Sequence, residues 1–334
     1  MLYSRFCPSR ICFSTAALCC LLPCVSLSAA EQITWFGYTR AIEIRNDQVR
    51  VVLCPEVGGR VLEYALNGKN VLYVSEAERQ WKPGDRPQAS AGRFDIGPEL
   101  VIPRREILWS GEWQSEITGK YSARLTSQTD PATGVQLIRD FQLDPASSHL
   151  SCTQTIVNKS ETVKEWCHWS RTFAVGRGIC VIPLTDEKTG PMSRFPEKYV
   201  MYEERGLIQT HPEDPMIRHV NHTLQIFPTP RKPKLGFDSY AGVIAYLAPN
   251  DLLFVKRFKT WPNRIYNEAA GLTISVWYPD NDMVELEPIG PRERLKPGES
   301  ASFTEDWWLA EAPFPGTDKN VDPQQLQPHL DALQ

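Results

Sequence analysis

Apolar residues in this chain recur mostly at alternate positions and seldom at helical spacing. In "RAIEIRNDQVRVVLCP", residues 40–55, the period is close to two on either side of an Asn46-Asp47 turn, the pattern of strands with one buried face. It returns in "RVLEYALNGKNVLYV" around Asn67-Gly68, a dipeptide that accepts the positive φ angles of a tight hairpin. Further strands are predicted over 120–127, 135–143, 150–157, 164–174, 224–227, 242–247, 252–258, 272–278, 283–287 and 301–309. Two irregular stretches, 75–95 and 183–240, are rich in Pro, Gly, Asp and Glu; loops of that length on a β scaffold serve as rims or lids. The expectation is an all-β domain of twisted antiparallel sheets.

The two ends follow other rules. Arg5 and Arg10 precede the apolar run "TAALCCLLPCVSLSAA", and Ser28 and Ala30 have the spacing of a cleavage site. Residues 1–30 are therefore expected to be a secretory signal peptide, and the protein to be exported, periplasmic or extracellular. Pro23 interrupts the run, which is short for a membrane span, so no stable membrane insertion is expected after cleavage; an uncleaved anchor is the alternative. Residues 31–311 form the expected domain. The polar, Pro-punctuated segment 312–334 reads as a surface strap with one short helix.

Charge narrows the choice of partner. The 334 residues carry a formal net charge of -4 with no stripe of Lys and Arg, which sets nucleic acid aside. Without the leader the cysteines are Cys54, Cys152, Cys167 and Cys180. Folding "LSCTQTIVNKSETVKEWCHW" as a hairpin about Asn158–Glu161 puts Cys152 opposite Cys167, within reach of a disulfide. Two small apolar neighbours on one face are the alternative. The sequence sets no oligomeric state.

Candidate chemistry centres on "EWCHWSRTF", residues 165–173, where His168 stands between two tryptophans. A histidine in such a strand is either a packing residue or an acid whose ordinary pKa suits proton transfer near neutral pH. By alternation it shares a face with Trp166 and Ser170, opposite Cys167 and Trp169, so it meets a cleft if the cysteine side is the buried one. His219 and His222 in "RHVNH", with Glu213 or Asp214, form a weak zinc set, since the loop has no helical period to align them. No metal or other cofactor is expected. No nucleophile elbow, P-loop or H-E-x-x-H motif is present.

Two stretches carry a resemblance. "CPEVGGRVLEYALNGKNVLY" is similar to the opening of galactose mutarotase-like proteins, and "MVELEPIGPRERLKPGESASFTEDWWL" resembles the closing strands of the aldose 1-epimerase and hexose-6-phosphate mutarotase group. The nearest likeness is to secreted DUF4380-type proteins with a GGR motif. It spans roughly residues 33–310 and implies a β-supersandwich with a sugar-binding cleft. In that family a histidine follows a hairpin turn "N-x-(S/T)-x-x-x-x-x-x-x-H" with an aromatic after it, matched here by Asn158, Ser160, His168 and Trp169. The family's base, the Glu of the "E-P" strand, falls on Glu287, with Glu285 its rival on the same face.

Mutarotation needs such a pair: a base takes the proton of the anomeric hydroxyl, an acid protonates the ring oxygen, and the ring opens and recloses. Arg60 of the GGR motif is a candidate hydroxyl or carboxylate ligand, or else a solvated charge. "RFDIGPELVIPRREILWSGEW" resembles a substrate-rim strand and supplies Glu99, Arg104 and Trp109, since aromatics stack on pyranose faces and forked donors bind hydroxyls. Lys256 is a further candidate. The family's second histidine has no counterpart in 90–115. Three functions stay open: a sugar epimerase or mutarotase using His168 and Glu287, a noncatalytic carbohydrate-binding protein, and a polysaccharide lyase. The expected ligand is a neutral sugar or a uronate.

Overall fold

The alternating segments assemble into two antiparallel sheets packed face to face. The structure is a computed structural model that describes residues 29–331 apart from 87–89, 187, 189, 204 and 205. Almost the whole expected leader lies outside the described residues; Ala30 is already in the first strand, paired with Ile44. The larger sheet has twelve strands, in the order Ala30–Trp35, Tyr38–Arg45, Val49–Cys54, Arg60–Leu66, Gly92–Gly97, Lys164–Val175, Met283–Leu295, Ile274–Trp277, Lys234–Phe237, Val200–Tyr202 and Ile208–Gln209, with Lys69–Asn70 attached to Arg60–Leu66. The smaller has ten: Ile217–Val220, Thr223–Ile226, Ile179–Pro183, Val243–Ala248, Leu252–Phe258, Ser300–Glu311, Leu150–Asn158, Val135–Leu143, Ser122–Thr126 and Gln114–Gly119. Helix among the described residues is limited to Glu76–Arg79, Glu106–Ser110 and Pro323–Asp331. The architecture is the all-β sandwich expected.

Alternation decides which side chains enter the layer between the sheets. Val51, Leu53, Phe94, Ile96, Leu137, Phe141, Ile156, Tyr246, Phe254, Val284, Leu286, Phe303 and Trp307 fill it. The outer face of the smaller sheet carries Ile179, Val181, Leu247, Leu253 and Val255, covered by Val321 and Leu326 of the chain's end. Gln225 holds that end down, donating to Val321 O and accepting from Val321 N. The outer face of the larger sheet has one apolar patch around Tyr38, Val52, Leu62 and Trp81 and another around Cys167, Trp169, Leu272 and Ile289.

Turn chemistry accounts for the sharpest corners. Asn67 and Gly68 have φ of 49° and 79°, the left-handed pair a tight hairpin requires. In the GGR motif both glycines have positive φ, and a Cβ on Gly59 would lie 2.5 Å from the Trp113 ring. Only glycine fits there.

Two expectations are corrected. Leu150–Asn158 and Lys164–Val175 are strands but not a hairpin, because they belong to different sheets. Each already has neighbours on both edges: Val135–Leu143 and Ser300–Glu311 for the first, Gly92–Gly97 and Met283–Leu295 for the second. Asn158 turns the chain from one sheet to the other, its amide donating to Thr162 O and Leu295 O. Cys152 therefore lies opposite Phe141 and Glu305, Cys167 opposite Gly97 and Arg292, and all four cysteines of the described residues are free and buried. The region 183–240 is likewise no plain loop, since it supplies five short strands to the two sheets.

Candidate functional site

The strand Lys164–Val175 has different chemistry on its two sides. His168, Ser170 and Thr172 point between the sheets. Trp169 and Arg171 point outward, where Asp95, Glu285 and Glu287 join them from neighbouring strands. His168 is fully buried, stacked between Phe94 and Phe303 at centroid distances of 5.8 and 5.6 Å, with Nε2 3.1 Å from Ala301 O of the opposite sheet. Burial pulls its pKa down to about 4, so it is a neutral packing residue at physiological pH. His168 and Glu287 thus face opposite sides of the sheet, and the expected acid–base pair is not assembled. The alternation in the sequence was right; the side taken as inward was wrong.

Two further candidates are corrected in the same way. Arg60 is buried in a bidentate pair with Glu78, at 2.7 and 2.8 Å, and also donates to Tyr38 Oη at 2.7 Å and Val57 O at 3.0 Å. Its guanidinium is fully engaged in joining the short helix Glu76–Arg79 to the sheet. Lys256 lies between the sheets, 2.9 Å from Glu305 and bonded to Ser170, Thr172 and Leu286 O. A lysine there neutralises a buried carboxylate and does not reach a cleft. His219 and His222 line different cavities, and among the described residues no group of three or more His, Cys, Asp and Glu could hold a metal.

The remaining candidates do converge. A cleft of about 320 Å³ on the outer face of the larger sheet is lined by Glu99, Arg104, Arg105, Glu106, Trp109 and Arg171. Arg104 is mostly exposed and pairs with Glu106. Its neighbour Arg105 turns inward, where Nε donates to Asp95 Oδ1 at 2.6 Å. Trp109 forms the wall, with the guanidinium carbons of Arg93, Arg171 and Arg105 at 4.5, 5.7 and 6.0 Å from its ring. Arg171 is the centre: it bonds Asp95 at 3.0 Å, Glu99 at 3.5 Å and Glu287 at 3.1 Å, stands 3.7 Å from Glu285, and lies 4.6 Å above Trp169.

Glu285 and Glu287 lie buried beneath Arg171, at 1% and 0% exposure, behind the residues that line the cleft. Ser275 is directly opposite Glu287 in the ladder, which puts both on one face. Among the described residues, Trp169 Nε1, Ser275 Oγ, Glu285 Oε1 and Glu287 Oε2 are buried with no hydrogen-bond partner. Buried polar atoms are rarely left in this way, and these four belong to the outer face of the larger sheet. Burial, then the charge of Glu287 beside it, drives the pKa of Glu285 far above the carboxylate range.

Several residues of this site were not singled out in the sequence. Lys234 pairs with Glu99 and stands 5.1 and 5.2 Å from the rings of Trp169 and Tyr202. Glu268 accepts from Tyr202 Oη at 3.1 Å and from Glu99 N at 2.9 Å; burial raises its pKa to about 7, the hydrogen bond from Glu99 N working against the rise. Lys234 and Tyr202 come from short strands inside the supposed loop 183–240. Arg171 was readable two positions beyond Trp169, and Asp95 inside the quoted rim segment.

Comparison with known proteins adds the fold's relatives. No family model matches the chain, and no curated protein is similar to it in sequence. A candidate aldose 1-epimerase from Escherichia coli superposes with a TM-score of 0.57 at 12% identity, over 81% of this chain and 99% of that one. Galactose mutarotase-like proteins from Lactobacillus casei and Clostridium acetobutylicum give 0.56 at 8% identity, over 81% and 100%, and 0.53 at 13%, over 84% and 98%. The chain has the galactose mutarotase-like fold. The narrower likeness to the DUF4380-type set finds no support in these comparisons.

Proposed function

We propose that this chain is an exported carbohydrate-active protein, and that it acts as a sugar epimerase or mutarotase in the cleft beneath Trp109. One observation supports this above the others: four buried polar atoms without a hydrogen bond, of Trp169, Ser275, Glu285 and Glu287, share one face beside two indoles and a guanidinium. Donors and acceptors set next to aromatic surface suit a pyranose, which has hydroxyls on its rim and an apolar face. Glu287 serves as the base that takes the anomeric proton, and Arg171 holds its charge in place. Export rests on the leader-like residues 1–30.

A noncatalytic carbohydrate-binding protein is the second reading. It is favoured by the way Arg171 covers the floor, since a ring contacts Glu287 only once that side chain moves aside. NMR exchange spectroscopy on D-glucose, D-galactose, D-glucuronate and D-galacturonate separates the two. In the enzyme reading one of these sugars interconverts faster with protein, and Glu287→Gln slows it by roughly 10²-fold or more with binding retained. A sugar that binds with no gain in interconversion refutes the enzyme reading and leaves the binding one.

A further inference from the structure

The epimerase reading leaves the ring oxygen without a proton donor, because the histidine expected for that step lies on the other side of the sheet. We propose that the donor is Glu285, and that Glu285 and Glu287 work as one unit, a carboxylic acid beside a carboxylate. This rests on the epimerase reading and names the second catalytic group of the same site.

The geometry comes first. Residues two apart on a strand point the same way, and here both carboxyls are buried, each with an oxygen that has no hydrogen bond. Facing acceptors with no donor between them become a hydrogen-bonded pair when one takes a proton, and both carboxyls lie against the same nitrogen, Arg171 Nη1. Arg171 Nη1 decides where the charge stays, being 3.1 Å from Glu287 and 3.7 Å from Glu285. One guanidinium, already shared with Asp95 and Glu99, cannot stabilise two further buried anions, and like-charged carboxyls so placed hold one proton between them. The direction of the Glu285 shift agrees with this. Lys234, paired with Glu99, also attracts both carboxylates, and Glu268 and Tyr202 face the same region; against Lys234 and Arg171, burial and the neighbouring Glu287 still favour the protonated form of Glu285.

The substrate's geometry suits such a unit. The anomeric hydroxyl and the ring oxygen of a pyranose are bonded to the same carbon, so an adjacent acid and base reach both without flanking the ring. Glu287 removes the proton from the C1 hydroxyl, the C1–O bond of that group becomes a carbonyl, the bond between C1 and the ring oxygen breaks, and its electron pair takes the proton of Glu285. Glu285 is then the carboxylate and Glu287 the acid. After rotation about C1–C2, addition of the ring oxygen to the other carbonyl face runs the two transfers backward and restores the starting pair. No group beyond the two carboxyls and the sugar is consumed.

Two measurements test this, one of them free of ligand. Infrared difference spectra of wild type against Glu285→Gln at neutral pH are expected to contain a protonated-carboxyl stretch belonging to the wild type; its absence overturns the proposal. On the four sugars named above, Glu285→Gln is expected to slow interconversion by roughly 10²-fold or more, as Glu287→Gln does, at similar half-saturation. Glu285→Asp, which keeps a titratable acid, is expected to retain the stretch and an intermediate rate, so loss of folding in the amide variant does not leave the question open. The wild-type rate in mixed light and heavy water should curve with isotope fraction, as two protons in flight require. If Glu285→Gln keeps the wild-type rate while Glu287→Gln loses it, the paired donor is refuted and the epimerase reading stands. If wild type accelerates none of the sugars, both fail.

Discussion

Protonation of His168 is the perturbation whose effect on this fold is most sharply defined. The imidazole is enclosed by Phe94 and Phe303, gives its Nε2 proton to Ala301 O, and has no partner at Nδ1. Its folded pKa of about 4, against the ordinary 6.5, is caused chiefly by burial. The folded state favours the neutral ring, so the unfolded chain binds the proton first. The contribution is complete above the ordinary value and is lost as pH falls toward the folded one. At 1.36 kcal/mol for each pH unit the whole interval is worth roughly 3 kcal/mol, and about 2 kcal/mol of it has gone by about pH 5. The assay is urea unfolding at about pH 7.5 and about pH 5 for wild type and His168→Phe, which removes the titration and keeps an aromatic ring. Wild type should lose about 2 kcal/mol more than the variant between the two pH values, and any sugar interconversion measured for wild type should persist in the variant. Equal losses in the two proteins, or a variant that folds normally yet no longer acts on a sugar that wild type interconverts, would refute the assignment of His168 to the core.

Two more outcomes follow from groups first suspected of touching a ligand or each other. Arg60→Met strands the Glu78 carboxylate in the interior, and urea unfolding should register a loss of about 3–5 kcal/mol that Arg60→Met with Glu78→Gln largely recovers; loss of sugar binding without loss of stability would return Arg60 to the cleft. The thiols of Cys54, Cys152, Cys167 and Cys180 are buried, and burial pushes that of Cys54 up to about 11, so protein lacking the first 28 residues should react with a thiol reagent only when unfolded, and then at all four positions; fewer reactive thiols would mean a disulfide.

How much of this was legible in the sequence depended on the range of the information. Local signals worked: Val135–Leu143, Leu150–Asn158 and Leu252–Phe258 lie within a residue of the strands read from alternation, and Asn67-Gly68 makes the turn its residues require. Alternation sorts side chains onto two faces without saying which face meets the other sheet, and in a sandwich whose outer faces are also buried, hydrophobicity does not settle it. That is why His168 and Lys256 were placed on the wrong side. Partners distant in sequence were invisible: Glu78 engages Arg60 across an irregular stretch, and Glu305 receives Lys256 from a strand nearly fifty positions later. Arg104 was chosen over Arg105 because nothing local says which of two adjacent arginines turns inward.

The strap formed by Val321 and Leu326 over the smaller sheet has a consequence for how such a protein can diversify. A sandwich has two outward surfaces, and here Val321 and Leu326 cover part of one while the cleft beside Trp109 opens on the other. Substitutions beside Trp109 therefore reshape the cleft without touching this cover, whereas polar substitutions at Val321 or Leu326 uncover Ile179, Val181 and Leu253. Variation in the shape of the cleft and variation in apolar exposure are thereby assigned to opposite surfaces of one molecule.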